Sequence, residues 1–187
     1  MTLSALGIFS AAGAGGGAAL SDYELIESQI LGSSQASITF SSLGSYSSTY
    51  KHLQIRATLR ETRTSDFGAI LMRLNGDSGS NYAYHKLLGD GSAVYSQAAT
   101  SRTSLDMLQA TGASNGANQF GSNVLDILDP FSTTKNKTLR NAGGRSAIIE
   151  MSSGLWMSTA SLTSIELFAN TFNLVTGVRV SLYGIKG

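Results

Sequence analysis

No cysteine occurs among the 187 residues. That absence excludes a disulfide framework, a thiolate metal site and a thiol nucleophile together. Proline occurs once, and the two histidines are His52 and His85, which leaves little for metal ligation or a histidine-based triad. Charged residues make up 13% of the chain, about half the roughly 25% usual in soluble proteins. The formal net charge of +1 gives no general pull toward nucleic acid or an anionic membrane. What is abundant is small and polar: 29 serines, 16 threonines and 21 glycines. With 42% hydrophobic residues a packed core is affordable and a disordered tail protein is not indicated. The length fits one domain. Together these values describe a Ser/Thr/Gly-rich, all-β, non-catalytic domain.

The first residues stand apart. MTLSALGIF is apolar, and Ala11 to Ala19 is almost pure Ala and Gly. No Lys or Arg precedes Lys51, so the stretch lacks the positive flank of a secretory signal. It also lacks the roughly 20 consistently apolar residues of a membrane span, and no membrane insertion is expected. Residues 1–21 are expected to form an N-terminal docking arm, with Leu3, Leu6, Ile8 and Phe9 as its plug and the glycines as its hinge. Residues 22–187 are expected to form the folded domain.

From Asp22 onward the sequence has the period of strands. In Tyr50 to Arg60, Leu53, Ile55, Ala57 and Leu59 share one face while His52, Gln54, Arg56, Thr58 and Arg60 share the other, because strand side chains alternate. Similar patterns cover Ser37 to Leu43, Ser164 to Asn170 and Val178 to Leu182, and fuller apolar runs lie at Tyr23 to Leu31, Phe67 to Leu74 and Val124 to Leu128. Turn signals separate them: Asn75-Gly76-Asp77-Ser78-Gly79, Gly89-Asp90-Gly91, Asn115-Gly116 and Asn141-Ala142-Gly143-Gly144. The spacing predicts about nine to eleven short strands in a single antiparallel β-sandwich of jelly-roll type. Residues 97–118 are expected to hold one short strand within a long polar loop.

Chemistry is sparse. Neither histidine has a second ligand at a zinc-site spacing. Asp126 and Asp129 are close in sequence, but turn and capping roles account for them without a two-carboxylate glycosidase site. Asp77 to Asn81 places oxygen-bearing residues as a calcium loop does, yet Lys86 and Leu88 stand where a closing acid is needed. No phosphate-binding glycine motif and no nucleophile elbow is present. Neither a cofactor nor a metal is expected. The basic residues Arg56, Arg60 and Arg63, with His52, line one strand face and its continuation. Nearly equal numbers of acids and bases disfavour a nucleic-acid surface, so these four are expected at a subunit interface, where the arginine fork fixes register.

The segments YKHLQIRATLR (50–60), LMRLNGDSGSNYAYHKLLGDG (71–91), NVLDILDPFSTTKNKT (123–138), SGLWMSTASLTSIELF (153–168) and TGVRVSLYGIKG (176–187) together resemble small β-sandwich structural proteins of tailed-bacteriophage virions. The likeness runs over residues 22–187, and the apolar start with its Gly/Ala stretch is also similar. It implies a non-enzymatic virion component, assembled in the host bacterial cytoplasm beside other virion proteins. Two placements follow. One is a tail-associated or fibre module, a homotrimer in contact with host surface polysaccharide, for which Tyr82, Tyr84 and Trp156 are candidates to stack on sugars. The other is a capsid decoration or cement protein that clamps neighbouring capsid subunits. The resemblance carries no catalytic residue with it.

Overall fold

The computed structural model describes residues 22–187. The expected docking arm, residues 1–21 with Leu3, Leu6, Ile8 and Phe9, lies outside the described residues. Twelve strands follow in order: β1 (Tyr23–Ile30), β2 (Ser37–Phe40), β3 (His52–Leu59), β4 (Phe67–Leu74), β5 (Tyr82–Gly89), β6 (Val94–Arg102), β7 (Leu105–Thr111), β8 (Gly121–Leu128), β9 (Lys137–Arg145), β10 (Ile148–Trp156), β11 (Ile165–Ala169) and β12 (Arg179–Ile185). They form an eight-stranded sheet, β1-β12-β3-β8-β9-β10-β5-β6, and a four-stranded sheet, β2-β11-β4-β7. The two antiparallel sheets pack together as a β-sandwich, the class that the strand period implies. One short 3-10 turn, Leu43–Tyr46, interrupts the connection from β2 to β3.

Alternation explains the core. On β3, Leu53, Ile55, Ala57 and Leu59 are buried while Arg56 and Thr58 are exposed. From the opposite sheet, Phe40, Ile70, Met72, Leu74, Ile165 and Leu167 meet them, all buried. Each such side chain contributes about 1.5 to 3 kcal/mol on leaving water.

The strand count exceeds the expectation because two hairpins, β5–β6 and β9–β10, extend one sheet. Two expectations are corrected. Residues 97–118 hold most of β6 and all of β7, and β7 is buried over nearly its whole length. Asn141-Ala142-Gly143-Gly144 is not a turn but the body of β9, and the chain reverses at Ser146 (φ 42°) instead. A Cβ on Gly143 would lie 2.6 Å from Asn123 Oδ1, so the glycine serves a close approach within the sheet. The Asn75-Gly76 turn joins no hairpin, since β4 and β5 belong to different sheets. It carries the chain across the sandwich with φ of 53° and 67° at its two residues, values that Asn and Gly tolerate best.

Candidate functional site

The eight-stranded sheet is wider than its partner, and its strands β8, β9, β10 and β5 pack over β7. Both sides of β7 are therefore buried, and its edge cannot hydrogen-bond to another strand of its own sheet. Side chains do so instead. Asn123 Nδ2 donates to the Gln109 carbonyl at 2.9 Å, while its Oδ1 accepts from the Gln109 N–H at 2.9 Å. The amide thus imitates the missing peptide neighbour. Asn141 Nδ2 and Ser152 Oγ donate to the carbonyl of Met107 at 2.7 and 3.4 Å.

Next to these amides lies a buried charged cluster. Lys86 on β5 places Nζ 2.5 Å from Asp106 Oδ1 on β7 and 3.8 Å from Glu150 Oε2 on β10. Gln109 Nε2 donates to Glu150 Oε2 at 2.5 Å, and Arg145 Nε donates to Gln109 Oε1 at 3.3 Å. The Arg145 guanidinium covers the Phe67 ring, 4.3 Å from its centre. Glu150 is wholly buried, and its second oxygen, Oε1, has no hydrogen-bond partner. Burial pushes its carboxyl up to about 7, against the pull of Lys86.

The opposite face of the same strands is apolar and exposed. Cross-strand pairing sets Ser96, Leu87, Met151, Ala142, Val124 and Arg56 in one row across β6, β5, β10, β9, β8 and β3. Met151 is 62% exposed, and its neighbour Ile149 on β10 is 66% exposed. Beside this row runs a polar one. Arg140 Nε donates to Asp126 Oδ2 at 2.8 Å, Gln54 Nε2 to Asp126 Oδ1 at 2.7 Å, and Arg56 Nε to Gln54 Oε1 at 3.1 Å. Because Leu87, Met151, Ser96, Ala98, Ser153 and His85 differ in size, they leave a shallow depression of about 520 Å³ over β10, β5 and β6. On β5 and β10 the usual partition is thus inverted: Lys86 and Glu150 face inward, Leu87, Ile149 and Met151 face out.

The expected site residues divide accordingly. Arg56 lies on the outer face, with its guanidinium carbon 5.1 Å from the ring centre of Tyr23 and 5.2 Å from that of Tyr183. His52 is half-buried near the strand end, and its Nδ1 accepts from the Asp129 N–H at 3.1 Å. Arg60 does not belong with them. Its guanidinium donates to the carbonyls of Asn115, Gly116 and Gln119, at 2.9 to 3.1 Å, and ties down the connection from β7 to β8. Arg63 pairs with the buried Glu61 at 3.1 Å and covers Phe172. Both arginines therefore serve the fold of their own chain.

The sugar-stacking expectation is overturned, because Tyr82, Tyr84 and Trp156 are buried and offer no ring face to a glycan. Tyr82 and Trp156 stack on each other with centroids 6.4 Å apart. Trp156 Nε1 donates to Asp77 Oδ2 at 2.7 Å, which holds the Asp77 carboxyl below its usual range. The Asp77–Asn81 segment is accordingly a turn closed on its own side chains, with Gly79 N–H and Asn81 Nδ2 also donating to Asp77.

The cluster around Lys86 escaped the sequence reading, although a signal existed. Tyr82, Tyr84 and Lys86 share one strand parity, as do Glu150, Ser152, Gly154 and Trp156, so each charge continues an otherwise inward stripe.

Among the described residues no group of three or more His, Asp and Glu is placed to hold a metal ion, and no helix there is long and apolar enough to cross a membrane. The chain matches no protein-family model and no curated protein.

Proposed function

We propose that this chain is a non-enzymatic structural module of a tailed-bacteriophage virion that assembles with copies of itself through the outer face of its eight-stranded sheet. The observation that carries the assembly is the apolar row Leu87–Met151–Ala142–Val124, continued by Ile149 and flanked by the polar row of Arg140, Asp126 and Gln54. A sheet of eight strands, about 4.8 Å apart and roughly 3.3 Å per residue along each strand, presents about 900 Å². A stable interface needs about 800 Å² from each partner, so a second copy is an occupant of the right size. Charge agrees, because Asp126 and Arg140 neutralise each other within the face and Arg56 is already held between two tyrosines. Apolar rows of two copies can meet there with Arg56 at the edge of the contact, its charge held by two rings and Gln54.

The virion assignment rests on the sequence resemblance, and the sandwich is compatible with it. With the β5–β6 and β9–β10 hairpins set aside, the remaining strands run β1-β12-β3-β8 and β2-β11-β4-β7. We read that interleaving as jelly-roll type. The tail-associated or fibre placement is retained without the sugar-stacking role of Tyr82, Tyr84 and Trp156.

Light scattering of the purified full chain at micromolar concentration is expected to give a stable oligomer, most simply the dimer that forms when one face meets the same face of a second copy. Leu87→Glu with Met151→Glu is expected to give a folded monomer. A monomeric parent protein would overturn the interface. Proteomics of purified particles made from the source genome is expected to find the chain in a few tens of copies or fewer per particle. Hundreds of copies would move it to the capsid, and its absence would overturn the virion assignment.

A further inference from the structure

We propose that Lys86 and Asp106 condense into an intramolecular amide that covalently joins β5 of one sheet to β7 of the other, with Glu150 relaying the proton. The proposal is independent of the virion assignment and of the oligomer interface.

Three features distinguish this cluster from an ordinary ion pair. First, it is placed where a cross-link would act. Lys86 reaches across from the eight-stranded sheet, where it pairs with Ser152 of β10 and Gln97 of β6, to an edge strand of the four-stranded sheet. Second, the reacting groups are in contact and nearly dry. Lys86 Nζ lies 2.5 Å from Asp106 Oδ1, and the Lys86 and Asp106 side chains are 3% and 21% exposed. An ion pair in such a place pays a large desolvation cost. Moving one proton from the ammonium to the carboxylate gives the reacting pair, a neutral amine facing a neutral acid. The ring of Tyr84, 5.6 Å from Nζ, helps to exclude water on one side. Third, a second carboxyl stands by, held by Gln109 through Oε2 and with its other oxygen free. Glu150 Oε2 is 3.8 Å from Nζ, and Oε1 has no hydrogen-bond partner. The carboxyl also exchanges its proton near neutral pH, as a relay must.

The step balances without a co-reactant. The Nζ lone pair adds to Asp106 Cγ, and Glu150 takes the proton that nitrogen must lose. It returns that proton to the departing hydroxyl. One C–N bond forms, one C–O bond breaks, and one water molecule leaves by the partly exposed side of Asp106. Nothing is oxidised or reduced. Holding amine and acid in contact replaces a bimolecular encounter, and well-oriented groups of this kind reach effective concentrations on the order of 10⁵ M or more. Water exclusion then disfavours the reverse hydrolysis.

Mass spectrometry of the intact, denatured full chain tests this. After incubation of the folded protein at neutral pH, the chain is expected to be lighter by one water molecule. A protease digest is expected to contain a branched peptide joining the segments that hold Lys86 and Asp106. Lys86→Met and Asp106→Ala are expected to restore the full sequence mass. Glu150→Gln, which keeps shape and burial, is expected to react roughly 100-fold more slowly or worse, in line with loss of a general acid–base. A folded parent protein at its full sequence mass would overturn the proposal. So would a loss of water that persists in Lys86→Met, which would place the dehydration elsewhere. Wild-type speed in Glu150→Gln would remove Glu150 from the step. Should a variant fail to fold, the branched peptide from the parent chain decides by itself.

Discussion

Replacing Asn123 by Leu tests whether a single side-chain amide closes the edge of β7. In the folded chain Asn123 gives one hydrogen bond to the Gln109 carbonyl and takes one from the Gln109 N–H, both at 2.9 Å. Leucine keeps the same branching, though it is larger, and leaves both backbone groups buried without partners. Each orphaned group costs about 1 to 3 kcal/mol, so the variant should lose roughly 2 to 6 kcal/mol. That is a large part of the 5 to 15 kcal/mol typical of a whole domain. Asn123→Asp separates the two bonds. It keeps an acceptor for the N–H but sets a carboxylate oxygen against the Gln109 carbonyl, and it should be at least as damaging at neutral pH. Equilibrium urea unfolding reads both variants, with the midpoint falling and the slope unchanged. A loss below about 1 kcal/mol in Asn123→Leu would refute the reasoning, since water or a shifted strand would then satisfy β7 equally well.

Two further outcomes follow from the same region. Glu150 holds its proton more tightly folded than unfolded, with the carboxyl raised to about 7 from 4.5, so its contribution to stability is fully present below about pH 4.5 and is lost as the pH rises through about 7. The total change is on the order of 3 kcal/mol at most. Glu150→Gln should flatten this slope in urea midpoints taken from pH 5 to 8, and an unchanged slope would place the titrating group elsewhere. Amide formation at Lys86 removes the cation that lowers the Glu150 carboxyl, so it pushes the dependence in the same direction. Gly154→Ala sets a Cβ 2.2 Å from Met107 Sδ and 3.1 Å from Leu105 Cδ2. Overpacking of that kind should cost about 1 to 3 kcal/mol, and thermal unfolding at wild-type temperature would show that β10 and β7 are less tightly packed than described.

Where one face of a strand meets the core and the other meets solvent, the sequence was sufficient. β3 and β11 keep a strict alternation and bury the residues that the period selects, and on β12 Val180 and Leu182 lie inward as the period selects, with Ser181 buried between them. It failed where a strand is covered on both sides. β7 buries Gln109 and Thr111 as fully as Leu105 and Leu108, and a bulge between its pairings with Ile70 and Leu71 breaks the period at Met107. No one-sided pattern can survive that. In β9 the four residues with the strongest turn chemistry are strand, because Asn123 and Asn141 need glycine beside them. The aromatic residues misled for a related reason. Tyr82, Tyr84 and Trp156 were matched to ligands by type, whereas their shared parity with Lys86 and Glu150 marks them as inward. Arg60 shares the outward parity of β3, but the strand has ended before it, and three carbonyls capture its guanidinium.

The inverted partition on β5 and β10 poses a register problem whose solution bears on both proposals. Slipping β10 by one residue against its neighbours would bury Ile149 and Met151 and release Glu150 to water, since a one-residue shift moves every side chain to the opposite face. For an isolated sandwich in water that exchange gains the burial of Ile149 and Met151 at the expense of Trp156, which would be turned outward. What opposes it inside is a set of specific partners: Gln109 for Glu150, the Met107 carbonyl for Ser152, and Asp106 for the neighbouring Lys86. A second copy over Leu87 and Met151 would remove the attraction from outside, because the apolar row would then be buried in the native register. An amide from Lys86 to Asp106 would forbid the corresponding slip of β5, fixing by a covalent bond what two hydrogen bonds and a salt bridge otherwise hold. The two devices act on opposite faces of one pair of strands. Disrupting either alone should therefore leave the register intact, while Asp106→Ala combined with Ala142→Glu, which blocks the outer face without altering β5 or β10, should expose β5 and β10 to hydrogen exchange well before β3 and β12. Uniform exchange across all four strands would show that register is set elsewhere in the sheet.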